Sequence, residues 1–195
     1  ALYFRELLPF FRTFFASLGF EVVLSGATNK SIIHRGVECM AAETCLPLKV
    51  AHGHILELIE QGVKRIFIPS IVDLKSDNPD YERGSVCPLA QTLAYTVHSS
   101  IDLKEKGVEV VSPVIHFGRG ERILKKELMT LGRSLKINPF LISKAMKEGL
   151  AAQEAFYQRL HDRGEEVLYS LKPDDIAMIL HTSGTTSRPK RVPIR

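Results

Sequence analysis

Two short runs of β-branched and aromatic residues, each led in by a stretch with helical spacing, restrict what this chain can fold into more than any other feature. Phe10, Phe11, Phe14, Phe15 and Leu18 recur at helical intervals after Pro9, and Gly19 marks a C-terminal stop. Residues 20–24 then read as a buried strand, and residues 25–30 as a turn that caps a short helix ending at Gly36. A longer helix is expected from Pro47 to Gln61, with Val50, Ala51, Ile55, Leu58 and Ile59 on one face and Gly62 as its cap. Residues 65–69 form the next strand. Helix, strand, helix, strand with short connections is the order of a parallel α/β sheet.

The remainder follows in the same terms. Residues 73–86 are polar and turn-rich, and no element is read there. A helix follows Pro88, residues 108–115 form a third strand, and residues 121–168 are helical with a break at Asn138-Pro139. A last strand over 176–180 runs into a Thr/Ser/Gly turn. The expected organisation is a cysteine-bearing α/β domain over 1–120, a helical segment over 121–168, and a strand with a basic loop tail over 169–195. The fold class is α/β, a three-layer domain with a mostly parallel sheet and a long C-terminal helical segment.

Composition excludes several functions. Of 195 residues, 45% are hydrophobic and 25% charged, which is globular rather than disordered. No run approaches the roughly 20 apolar residues of a membrane span. The net charge of +4 is concentrated late, with 17 basic and 12 acidic residues in 101–195 against 9 and 10 before. Arg188, Lys190, Arg191 and Arg195 fall in the last eight positions, which makes a basic tail and not a nucleic-acid surface. The start carries neither a basic leader nor an apolar core segment, and no initiator Met. A cytoplasmic piece of a longer chain is expected.

Three cysteines, Cys39, Cys45 and Cys87, are an odd number, so a disulfide framework is not expected. Cys45 lies just ahead of a helix start, where unsatisfied N–H groups and the helix dipole favour an anion and hence a thiolate. Cys87 precedes Pro88 at the end of the polar loop, again before a helix. Both places belong to the carboxyl edge of an α/β sheet, where such folds bind ligands. The spacing is not that of a zinc site; ligands from separate loops suit an iron–sulfur cluster better. From pattern alone, small buried hydrophobes are the favoured reading of all three, since free cysteine is among the most buried residue types. His52 and His54 stand about 200° apart on a helix and cannot share a ligand, so at most one faces the site. Lys49, one turn after Cys45, offers positive charge to a phosphate or thioester, or is a solvated helix lysine.

Three stretches carry a family resemblance: residues 14–30, Glu43-x-Cys45-Leu-Pro-x-Lys-x-x-His-Gly-His54, and residues 66–72. Cys87-Pro-x-x-Gln91 and Ser112-Pro-Val-Ile-x-Phe-x-Arg-Gly120 continue it. Together they resemble the activase-related domain of the 2-hydroxyacyl-CoA dehydratase and benzoyl-CoA reductase group, over residues 1 to about 168. That resemblance implies an anaerobic iron–sulfur protein. In such systems an ATP-driven activator passes an electron to a [4Fe–4S]-bearing partner that reduces an acyl-CoA. It makes Cys45 and Cys87 cluster ligands, leaves Cys39 as core, and makes Lys49 and His52 candidates for cofactor contact. Two ligands do not complete a cubane, so the remainder must come from elsewhere, and the chain is incomplete as an enzyme. The implied partners are an ATPase activator and an acyl-CoA, with no nucleic acid and no membrane.

The end of the chain resembles something else. Residues 174–190 are similar to the phosphate-binding loop of adenylate-forming acyl-CoA synthetases, departing from it at Ser187 and Arg191. Thr182, Ser183, Gly184, Thr185, Thr186 and Lys190 would cradle phosphate there, as in ATP. The stretch is too short to build an adenylate site, so the expectation is a solvated tail without a closed nucleotide pocket. A fragment related to acyl-CoA ligases, or a non-catalytic docking domain, are the alternative functions.

Overall fold

The computed structural model describes residues 6–40, 43–75, 80, 83–170, 178–182 and 190–194. The chain divides into two compact units, residues 1–153 and 154–195. In the first unit the helices are α1 (Leu8–Ser17), α2 (Lys30–Cys39), α3 (Leu46–Glu60), α4 (Pro88–Gln91), α5 (Leu93–Ser100) and α6 (Glu121–Ser134), followed by the start of α7 (Pro139–Ser170). The strands are β1 (Arg65–Phe67), β2 (Ser70–Lys75), β3 (Arg83–Ser85), β4 (Glu109–Val111) and β5 (Val114–His116).

The pairing is mostly parallel. β1 runs parallel to β4 and β2 parallel to β5, while β3 adds to β2 antiparallel. β1–β4 and β2–β5 are successive stretches of the same two chain segments. They part where Pro69 and Pro113 have no N–H to give to a ladder. Ile68 N–H donates to Val111 O (2.9 Å) and Ser70 N–H to Pro113 O (2.9 Å), which carries the alignment across the gap.

Side chains alternate between two apolar layers, as period-2 geometry requires. Ile66 and Ile68 enter a cluster with Leu48, Ala51 and Ile55 of α3 and Leu93, Ala94 and Val97 of α5. Phe67, Ile71, Val111 and Ile115 face the opposite cluster, which is filled by α1, by Leu124, Leu128 and Leu131 of α6, and by Ile142, Ala145 and Met146 of α7. Helices thus cover both faces of the strands, which makes the first unit a layered α/β domain.

Several expectations are corrected. Residues 20–24 do not form a strand; Val23 and Leu24 are each 47% exposed, and no strand among the described residues pairs with them. The residues just after it are tied to α3, with Gly26 N–H donating to Glu57 Oε2 (2.9 Å) and Thr28 Oγ1 bonded to His54 Nε2 (2.9 Å). The strand expected over 108–115 is two strands, split at Ser112-Pro113. The polar region from 73 holds the end of β2 and all of β3, because the polar residue in its midst, Asp73, spends its carboxylate on hydrogen bonds. The helix read as ending at Gly36 runs to Cys39. It starts at a side-chain cap, with Ile32 N–H donating to Asn29 Oδ1 at 3.0 Å.

In the second unit, β6 (Met178–Thr182) pairs antiparallel with β7 (Lys190–Ile194). Within the expected tail, residues 190–194 form a strand that pairs with β6. The expected loop residues Ser183, Gly184, Thr185, Thr186 and Ser187 lie outside the described residues.

Candidate functional site

Cys45 and Cys87 occupy equivalent local positions. Each is the residue before a helix whose first turn contains proline, Pro47 in α3 and Pro88 in α4. Proline suits that turn because its missing N–H would have no intrahelical partner anyway. The Cys45 carbonyl accepts from Leu48 and Lys49 N–H (3.1 and 3.3 Å), and that of Cys87 from Ala90 and Gln91 N–H (2.9 and 3.1 Å). Neither thiol caps its helix, and both are free and exposed. The two backbones are thus engaged and the two sulfurs outward.

Each cysteine sits beside an anchored neighbour. Val86, 3% exposed, donates its N–H to Val72 O (3.0 Å), while its carbonyl accepts from Gln91 Nε2 (2.7 Å). That gives Gln91 of the Cys87-Pro-x-x-Gln91 motif a physical role: it closes the loop over Cys87 onto Val86, whose N–H in turn is bonded to β2. On the other side, Leu48 buries one turn beyond Cys45, in the same apolar cluster as Leu93 of α5. α3 thus shares a core with α5, whereas α4 buries no residue and Val86 and Ala90, on either side of Cys87, belong to the opposite cluster. α4 itself is four residues long, so the helix-dipole argument applies to Cys45 and not to Cys87.

The other predicted residues separate. Lys49 is 16% exposed and its Nζ lies 3.1 Å from Oε2 of Glu43, which is 98% exposed. Such a pair is held weakly, because water screens the carboxylate. His52 is fully buried; its Nδ1 bonds Leu48 O at 2.8 Å, and Nε2 has no partner among the described residues. It points inward, while His54 faces the 26–28 segment. Cys39 packs against the α3–α5 cluster and lies 3.6 Å from Ser100 O, and burial pushes its thiol above the ordinary range. Among the described residues no group of three or more His, Cys, Asp or Glu side chains is arranged to hold a metal.

These exposures predict an order of alkylation. In the folded, metal-free chain near neutral pH, iodoacetamide should modify Cys45 and Cys87 first. Cys39 should lag by about tenfold or more, because less of it is thiolate and less of it is reachable. Since its pKa is raised, its thiolate fraction grows at higher pH than an ordinary thiol's, so the lag should shrink only in alkaline solution. Peptide mass spectrometry of a timed reaction reads this directly, and equal rates for all three would contradict it.

Two features escaped the sequence reading. Gly36 and Gly53 lie where α2 and α3 touch backbone to backbone: a Cβ on Gly36 would sit 1.8 Å from Lys49 O, and one on Gly53 1.9 Å from Ile32 O. The second is a polar clamp around residues 116–119. Asp73, 3% exposed, accepts Gly118 N–H at Oδ1 (2.9 Å) and Arg119 Nε at Oδ2 (3.1 Å). Glu127 of α6 accepts His116 N–H at Oε2 (2.8 Å) and lies 2.6 Å from His116 Nδ1 through Oε1.

The fold is that of a layered α/β domain with two exposed cysteines at helix starts. The chain belongs to the family described as the CoA enzyme activase uncharacterised domain (DUF2229), whose model matches residues 1–183. No curated protein and no solved structure matches it. The family match runs through β6, so the strand leading into the phosphate-loop-like stretch lies within this domain. No helix among the described residues is long and apolar enough to cross a membrane.

Proposed function

We propose that this domain is the ligand-bearing part of an iron–sulfur electron-transfer module, with Cys45 and Cys87 holding two corners of a [4Fe–4S] cluster. The observation that carries the reading is the contrast among the three cysteines. Two present unbonded, exposed cysteines at anchored helix starts, and the third is packed away. Thiolate sulfur is the donor such clusters take, so the donor type fits. The donor number fits half a cluster, and the other ligands belong to a partner chain or to sequence outside these 195 residues.

A bound cluster would supply one-electron transfer. The chain's own residues then hold it in place: Gln91 and Val86 fix the Cys87 loop, and Leu48 fixes the first turn after Cys45. Lys49, one turn behind Cys45 and bridged only to an exposed glutamate, supplies a cation beside that position. An ATP-driven activator as electron donor and an acyl-CoA dehydratase as recipient complete the proposal.

Anaerobic reconstitution of the full chain with ferrous iron and sulfide tests it. Iron and acid-labile sulfide should be retained through gel filtration, and each of Cys45→Ser and Cys87→Ser should lower retention severalfold. Cys39→Ser should leave it unchanged. Retention by the wild-type chain no greater than by the Cys45→Ser/Cys87→Ser double variant would overturn the assignment. ATP binding without iron would favour the ligase-like alternative, in which Thr182 and Lys190, paired across β6 and β7, flank the resembling loop.

A further inference from the structure

The segment His116-Phe117-Gly118-Arg119 leaves β5 and is held unusually tightly for a loop. Five hydrogen bonds fix its four residues: two to the Asp73 carboxylate, two to the Glu127 carboxylate, and Phe117 N–H to Asp73 O at 3.1 Å. Both carboxylates are largely shielded, Asp73 at 3% and Glu127 at 19% exposure, and both spend both oxygens on this one segment. Asp73 and His116 are also partners in the β2–β5 register, so the two clamps are neighbours.

The clamps hold each side chain by one edge and leave the other without a bond, in Arg119 at a half-exposed position and in His116 on a side chain that is 14% exposed. Arg119 is bonded through Nε, so its Nη1/Nη2 edge remains, and the side chain is 45% exposed. His116 is bonded through Nδ1, which leaves Nε2. Neither the Nη groups nor Nε2 has a hydrogen-bond partner among the described residues. A staple that served only to close the loop would need the bonded edges alone. Beyond it, exposed Arg122, Lys125 and Lys126 on α6 outnumber exposed Glu121, so the charge that faces solvent there is positive.

We propose that Arg119 and His116 form a binding site for a phosphate group, built from residues other than the cysteines. The guanidinium fork matches two phosphate oxygens, and its orientation is set in advance by Asp73. The imidazole offers Nε2 to a third oxygen, and one proton is shared between that nitrogen and the phosphate. A planar carboxylate would use the fork and leave the imidazole idle, which is why the tetrahedral ligand is preferred.

Calorimetric titration of the full, metal-free chain with inorganic phosphate, ATP, CoA and 3′-dephospho-CoA tests this at constant ionic strength. At least one of these should bind, and the pattern separates the sources: CoA above 3′-dephospho-CoA marks the 3′-phosphate, ATP above both marks a nucleotide, and equal affinities mark phosphate alone. Arg119→Gln should weaken that binding about tenfold or more, and Arg119→Lys nearly as much, because lysine keeps the charge but not the fork. His116→Gln should weaken it severalfold, and Lys147→Ala, at an exposed position on α7, should leave it unchanged. Should Arg119→Gln fail to fold by circular dichroism, Arg119→Lys and His116→Gln carry the same comparison. No binding by any probe, or affinities that ignore both positions, overturns the proposal. Because the chain is free of iron throughout, that result stands apart from the outcome of the cysteine experiment.

Discussion

Gly53→Ala is expected to destabilise the first unit by about 3 kcal/mol or more, although alanine is ordinarily the better helix former. In an exposed helix interior the exchange would gain up to about 1 kcal/mol through backbone entropy. Here the sign reverses because the added Cβ would stand 1.9 Å from Ile32 O and 2.8 Å from Ile32 C. Those are backbone atoms inside α2, so no rotamer change relieves the clash and the two helices must move apart. Gly36→Ala should behave alike, since its Cβ would lie 1.8 Å from Lys49 O. Gly132→Ala is the informative comparison. Its Cβ would meet Ile142 Cδ1 at 1.8 Å, the far end of a side chain that can turn, so a smaller loss is expected. Urea unfolding followed by circular dichroism reads all three. A Gly53 variant within about 0.5 kcal/mol of wild type would mean that α2 and α3 are not in backbone contact.

The same pair of helices shows why part of the site was legible in the sequence and part was not. Local signals fixed the starts of α3 and α4, because proline in a first turn is a one-residue clue, and the places of Cys45 and Cys87 just ahead of those helices follow from it. Within His52-Gly-His54 the histidines drew attention as chemistry. Yet His52 is core and the glycine between them is what lets two helices meet. A helical glycine read alone registers as a cost, and only the partner backbone turns it into a requirement.

Long-range pairs were illegible for a related reason. Arg119 and Asp73 are 46 positions apart and His116 and Glu127 are 11 apart, with no period linking either pair. Asp73 misled further, since a carboxylate in a turn-rich stretch reads as solvated loop when in fact it lies inside β2 with all its bonds made. The reverse error befell residues 20–24, whose β-branched pattern is that of a buried strand. Strand formation requires a partner edge as well as a pattern, and the chain just beyond is held to α3 through Gly26 and Thr28 instead.

Phe10→Ala should be the costliest of the aromatic truncations, at about 3–5 kcal/mol. The ring of Phe10 is fully buried and lies among those of Phe11, Phe14 and Phe117, at centroid distances of 5.1, 5.9 and 5.2 Å. On its remaining side it faces Gly149 of α7, where even a Cβ would come within 3.0 Å. Neighbours held from several elements do not collapse easily into the vacated space. The backbone there is fixed too, because Phe10 N–H donates to Gln153 Oε1 (3.2 Å) while Gln153 Nε2 donates to Glu6 O (2.8 Å). The cavity therefore stays open, and the transfer cost and cavity cost add. Phe15, half-buried against Phe67, has water to relax into, and Phe15→Ala should cost less. Removal of the Phe10 ring also strips the edge contact under Phe117, which precedes Gly118 and Arg119. Amide hydrogen exchange at 116–119 should accelerate in the folded Phe10→Ala chain while exchange in α3 does not. Unchanged protection of that loop would show that Asp73 and Glu127 hold it without help from the aromatic cluster.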